Sequence, residues 1–202
     1  PNPKCGPFDL KRLWQDSLRR GLFARALGKQ LGMKDAEDLF AAALLQDMAI
    51  PLLANELPQQ YEDLLKRRQD GEFRLTSLEE DAFGWNHGQA AAEMSRSWSL
   101  PEEFSVLIQA HGDLETAIAD VKTSPGTFSV AVSSLLPAAN DDMWHDRDRF
   151  VSAYQAACPD GAPLEELFAT IDAQFEEFAP VLKVGSPAKT LVECLQAEAA
   201  PA

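Results

Sequence analysis

Apolar residues recur at three- and four-residue steps along almost the whole of this 202-residue chain, the period that one buried helix face requires. From Asp9 to Leu31 the series is Leu10, Leu13, Trp14, Leu18, Leu22, Leu27 and Leu31, with Gly32 as a stop. A second helix is predicted from about Lys34 to Ala54, with Pro51 ending or kinking it. A third covers Pro58 to Arg68. Thr76 followed by Glu79 has capping-box spacing and should open a helix reaching about Trp98. Ser99, Pro101 and two acidic residues suit the start of the next. Shorter helices are predicted over 113–122, 143–157, 163–178 and 187–198, with Asp141 or Asp142 capping the one that carries Trp144 and His145. "GTFSVAVSSLLPAAN" is rich in β-branched residues, but a lone strand has no partner, so it too is read as helix. The fold class is all-α, a bundle of short and medium helices in one domain over 1–202, with its core at about 8–180. "KVGSPAKT" is a linker-like break. A C-terminal helix and a tail fraying after Glu198 occupy 181–202.

An apolar fraction of 46% supports a real core. The net charge of −14 repels a phosphate backbone, so nucleic acid is not an expected partner. Arg19, Arg20 and Arg25 on the first helix read as a solvated face. Cys5, Cys158 and Cys194 show neither CxxC nor zinc spacing and read as free thiols. No apolar run reaches the roughly 20 residues that span a bilayer, and "PNPKCGPFDL" lacks a signal-peptide layout, so a cytoplasmic, non-membrane protein is expected.

Polar residues on apolar stripes carry the functional information. Asp47 shares a stripe with Phe40, Ala43 and Ile50. His87 lies with Phe83, Ala90 or Ala91, and Met94, and His111 ends the stripe of Phe104 and Leu107 or Ile108. Asp16 sits at the edge of the first apolar face, beside Leu13 and Phe23. A buried carboxylate must be paired, so these four could converge from four helices; alternatively, each has its own local partner. Trp14, Trp85 and Trp98 are expected to pack.

The segments "FDLKRLWQDSLRRGLFARALGKQLG", "AEDLFAAALLQDMAIPLL" and "NHGQAAAEMSRSWSLPEEFSVLIQAHGD" together resemble an HDOD domain, the signalling offshoot of the HD superfamily of metal-dependent phosphohydrolases. The resemblance covers about residues 8–115 and implies an HD-domain-like bundle. It also implies which positions would hold the metal in a catalytic relative. Asp16 stands where a His is found, Gln46 and Asp47 stand at the His-Asp pair, and His87 is kept. His111 and Gly112 stand at a tandem His pair, and "SVAVSSLL" lacks the late Asp. A Gln amide is a poorer ligand than imidazole, and Gly112 offers no side chain, so hydrolysis through an activated metal-bound water should be lost. The family pattern further implies an N-terminal helical block ahead of this segment, making the chain the HD-like part of a longer protein with a receiver or sensory domain upstream.

The leading expectation is a non-catalytic regulatory module with no cofactor, binding a protein partner in a bacterial response-regulator or other signalling pathway. Homodimerisation through an uncovered apolar face stays open. One alternative is a weak metallohydrolase of phosphodiesterase type using Asp16, Asp47, His87 and His111. Another is a pocket that senses a nucleotide without cleaving it, against which stands the small number of basic residues expected nearby. "ELPQQYEDLLKRRQDGEF" reads as a connecting helix that could face a partner.

Overall fold

The computed structural model describes residues 3–139 and 141–197, and among them there are only helices, turns and loops. Helix α1 (Leu10–Gln30) is the spine. Asp9 accepts from the Lys11 amide at 2.9 Å and caps it, and Leu18, Leu22, Phe23 and Leu27 are fully buried. Helix α2 (Ala36–Leu45) lies close against α1. Gly21 permits that approach, because a Cβ there would stand 2.9 Å from the Phe40 carbonyl oxygen.

The helix predicted through to Ala54 is broken. Residues 46–49 form a turn and α3 (Ile50–Glu56) begins beyond it. Pro51 sits in the first turn of α3, where its missing N–H costs nothing. Gln46 and Asp47 therefore project from a break and not from a continuous helix. Helix α4 (Pro58–Arg67) follows, then a 3-10 turn at Gln69–Gly71.

The long helix expected from Thr76 to Trp98 is two. Helix α5 (Leu75–Phe83) ends at Gly84, whose φ of 75° makes a left-handed cap. Helix α6 (His87–Ser97) starts afresh from Asn86, which accepts from the Gln89 amide while Gln89 reaches back to the Asn86 amide. Thr76 lies inside α5 and caps nothing.

Helix α7 (Glu102–Gln109) runs into a 3-10 turn, Ala110–Gly112, that carries His111. Helices α8 (Leu114–Ala119) and α9 (Pro125–Ser133) follow. The β-branched stretch is helical, as read, and α9 is buried on nearly every side, which explains its weak amphipathic pattern. Helix α10 (Arg147–Ala157) starts later than predicted. Asp141 binds Arg68 instead of capping, and the Trp144 indole N–H donates to the Leu135 carbonyl at 2.7 Å. Helices α11 (Leu164–Leu182) and α12 (Leu191–Gln196) complete the described chain; the tail beyond Glu198 lies outside the described residues.

One apolar cluster joins α1 to α9, α10 and α11 around Phe23, Phe128, Phe150 and Phe168. A second sits among α2, α6, α7 and α9, and a third lies under Cys5, Tyr61, Leu64 and Leu78. The arginines of α1 do not form a solvated face. Arg19 is buried and donates to the Lys189 carbonyl, Arg25 lies over Phe40, and Arg20 points inward. Trp85 stacks on Phe83 as expected of a packed ring, but Trp14 and Trp98 are 43% and 57% exposed, contrary to the reading from their stripes. The three cysteines are free. No helix among the described residues is long and apolar enough to cross a membrane.

Candidate functional site

Three of the four stripe residues meet. The turn after α2 supplies Asp47, the first residue of α6 supplies His87, and the 3-10 turn after α7 supplies His111; all three are buried. The two Nε2 atoms are 3.0 Å apart, and Asp47 Oδ1 lies 3.4 Å from that of His87 and 3.6 Å from that of His111. Donors held about 2.1 Å from one tetrahedral ion would be about 3.4 Å from each other, so the triangle has the size a metal requires.

The protons can be placed from the partners. His111 Nδ1 is 2.8 Å from the Ile108 carbonyl, which only accepts, so Nδ1 carries the hydrogen and Nε2 is bare. His87 then donates its Nε2–H toward that lone pair. Its Nδ1–H donates to Glu79 at 2.6 Å, and its backbone N–H donates to the same carboxylate oxygen at 2.7 Å. Glu79 is fully buried and receives the Tyr61 hydroxyl on its other oxygen at 2.5 Å. Burial opposes charge on His87, yet Glu79 and Asp47 overcome it and hold the imidazolium up to about 9. Burial and the neighbouring His87 push His111 down to about 3. One cation thus resides on the pair, on His87.

Asp47 is closed from its other side. Arg20 donates from Nη1 to Oδ2, and although burial would raise the carboxyl, Arg20, His87 and His111 hold it far below the carboxylate range. A guanidinium locked on the only carboxylate of the triangle competes with a divalent cation for the same charge.

The remaining predicted positions do not join. Asp16 accepts from the Ala139 amide at 2.7 Å and stands outside the triangle; burial raises it to about 6 against the pull of Arg20. Gln46 is fully buried, donates to Ser133 Oγ at 3.4 Å, and leaves Oε1 without a partner. Gly112 has no room for a side chain, since a Cβ would lie 2.6 Å from Asn86 Oδ1, the atom that caps α6.

Sequence reading missed two members. Glu79 fits a capping box with Thr76 and so reads as part of a helix start; its eight-residue spacing from His87 is the signal the sequence offers. Arg20 looked like part of a surface charge run. The expectation of few basic residues near the pocket also fails. The triangle forms the floor of a cavity of about 350 Å³, and Arg12, Arg20, Arg68 and Arg74 line it. The loop after α9 closes its rim: Asp141 takes the Arg68 fork, Arg74 binds Asp146 at 3.0 Å and Ser134 at 2.9 Å, and Asp70 receives the Asp142 amide.

A crystal structure of an HDOD domain protein with unknown function from Geobacter sulfurreducens is similar to this chain, with a TM-score of 0.61 and 18% identity. The match covers 89% of this chain and 62% of that one, so the chain spans less than two thirds of its length. At that identity the likeness speaks for the helical fold alone. No curated sequence matches the chain significantly. The family model for the HDOD domain matches residues 1–114, more than half of the chain, and the chain belongs to that family.

Proposed function

We propose that this chain is a non-catalytic signalling module that couples a bacterial regulatory input to a protein partner. One observation carries the reading: the three groups of the triangle are already satisfied from within, Asp47 by Arg20 on its other oxygen and the two imidazoles by the His87 proton directed at His111. Fixed charges that satisfy one another keep the scaffold and remove the need for an ion. Gln46 and Gly112 supply no replacement ligand. HDOD domains are the non-catalytic branch of the HD superfamily, in keeping with that closure. The acidic surface favours a partner with a basic face, and Trp14, Leu52, Phe73 and Trp98 are left exposed as contact residues.

A second reading is favoured by the dimensions of the triangle. Asp47, His87 and His111 fit a single divalent cation with one open position, and Glu79 behind His87 is the carboxylate such a ligand normally has. Mass spectrometry of protein purified without chelator, then soaked with Mn, Fe or Zn, separates the two. Substoichiometric metal and no phosphodiester hydrolysis are expected. Stoichiometric metal that disappears in His87→Ala, accompanied by turnover, overturns the non-catalytic reading.

A further inference from the structure

We infer that the outer face of the corner built by α2, α3, α6 and α7, centred on Trp98, docks a basic amphipathic helix of a protein partner. The inference deepens the partner-binding reading and rests on it.

The sequence makes this face adaptable. Five of the eight covered residues in the cluster among α2, α6, α7 and α9 are alanines: Ala24, Ala42, Ala43, Ala49 and Ala91. Small side chains let the helices close up, so the core beneath is thin. Leu45, Met48, Met94 and Phe104 pack on the outside of that cluster, and each stays half-buried. Methionine is unbranched and polarisable, and at a surface it re-packs against a partner more readily than a branched side chain does. Trp98 stands one turn beyond Met94, its amide on the Met94 carbonyl at 3.1 Å and its side chain exposed. An indole in that position is the kind of side chain that anchors an interface. The corner that presents it is fixed. Ser99 closes α6 with a left-handed φ of 59°, its amide on the Arg96 carbonyl at 2.9 Å, and the Ser95 and Ser105 hydroxyls tie α6 to α7 at 2.8 Å. The anchor is thus placed before a partner arrives, which lowers the ordering cost of binding.

Charge names the partner. Residues 36–56 and 87–109, which build this corner, contain six exposed carboxylates, Glu37, Asp38, Glu56, Glu93, Glu102 and Glu103, against one arginine and no lysine. Arg96 is spent on Glu93 and Glu102, and Glu37 is met by Arg25 and Lys29. Asp38, Glu56 and Glu103 are left without an ion pair among the described residues. A partner that complements this face brings apolar residues flanked by lysine or arginine. The same sign opposes an anionic lipid surface, and a second copy of the chain would meet like charge. Among the described residues there is no strand edge to extend, and a helical surface offers ridges and grooves that seat another helix.

Fluorescence anisotropy of the full chain with a Leu/Lys amphipathic peptide of about 18 residues, long enough to hold a helix, tests the assignment beside its Leu/Glu counterpart. At about 0.15 M salt the Lys peptide should bind below about 100 μM and the Glu peptide at least about tenfold more weakly. In methionine methyl NMR the Met48 and Met94 signals should move while Met143 stays still, a readout that needs no variant. Trp98→Gln should weaken the Lys peptide about tenfold. Val181→Gln, at an apolar residue 78% exposed on α11, should leave it unchanged. Equal binding of the two peptides, no binding at about 1 mM, a Met143 shift without Met48 and Met94, or an unaffected Trp98→Gln variant overturns the assignment. A wild-type dimer in sedimentation that Trp98→Gln dissolves overturns it in favour of a second copy. Peptide binding and phosphodiester turnover are separate readouts. Losing this face leaves the non-catalytic reading standing, and turnover sinks that reading without moving the peptide.

Discussion

Replacing Glu79 by Gln keeps the shape of a fully buried side chain and removes one charge, so it isolates what that charge does. In the native protein the carboxylate receives the His87 Nδ1–H, the His87 backbone N–H and the Tyr61 hydroxyl. Burial disfavours the imidazolium, but Glu79, with Asp47, raises it from 6.5 to about 9, which corresponds to about 3 kcal/mol in favour of the protonated form. In the unfolded chain His87 loses its proton near 6.5. The stabilisation is therefore complete below 6.5 and disappears as the pH rises to about 9. Glu79→Gln should cost about 2–3 kcal/mol near pH 6 and under about 1 kcal/mol at pH 9.5, the residue of the latter being imperfect hydrogen bonding by the amide. Urea unfolding followed by circular dichroism at half-unit pH steps measures the difference, and proton NMR of the His Cε1–H reads the ionisation directly. The His87 titration should drop below 6.5 in the variant. A cost that is the same at both ends of the pH range would refute the charge coupling and leave Glu79 as a neutral hydrogen-bond acceptor.

Other expectations follow from the same contacts. His111, pushed down to about 3, stays neutral in the folded protein while the unfolded chain takes up a proton below 6.5, so stability should also fall as the pH drops from 6.5 toward 3. The two histidines together favour a maximum close to pH 6.5, while Asp16, raised to about 6, offsets the His111 loss between pH 6 and 3.8; thermal melts of wild type across pH would locate the balance. Gly112→Ala pushes Asn86 out of its capping position and should cost about 1 kcal/mol, a fall of about 2–4 °C in Tm. Gly21→Ala drives a methyl against the Phe40 carbonyl and should cost about 1–3 kcal/mol in the same assay. Arg20→Met uncovers Asp47, and calorimetry with Zn should show affinity at least about tenfold above wild type; unchanged affinity would mean Arg20 does not guard the triangle.

The helical class could be read from spacing because spacing is a local property, and the single long α1 follows its stripe closely. Where the reading ran two helices together, the breaks came from chemistry that periodicity does not register. The apolar stripe through Ala43 and Asp47 continues in sequence across a turn that reorients it, and Gly84 stops α5 although Phe83 and His87 keep a helical interval. Trp14 and Trp98 fit apolar patterns on paper, but the described elements leave them 43% and 57% exposed. A stripe records which residues could be buried; which ones are buried depends on how many neighbours the fold provides.

The site was legible where a polar residue interrupted an apolar face, which is why Asp47, His87 and His111 were found and do converge. Asp16 shows the limit of that signal, since its polar partner is the Ala139 amide, contributed by a loop more than a hundred residues away. Glu79 and Arg20 were invisible for a related reason. Each belongs to a residue type whose ordinary place is a helix end or a wet surface, and only tertiary structure turns it inward. Their inward turn also gives a physical account of the kept scaffold. Without Arg20 and Glu79, Asp47 and the His87 imidazole would be buried polar groups with too few partners. Arg20 and Glu79 restore the partners on opposite sides, one neutralising Asp47 and the other fixing the proton on His87. The polar centre can then persist without an ion, because each of its charges already meets an opposite one.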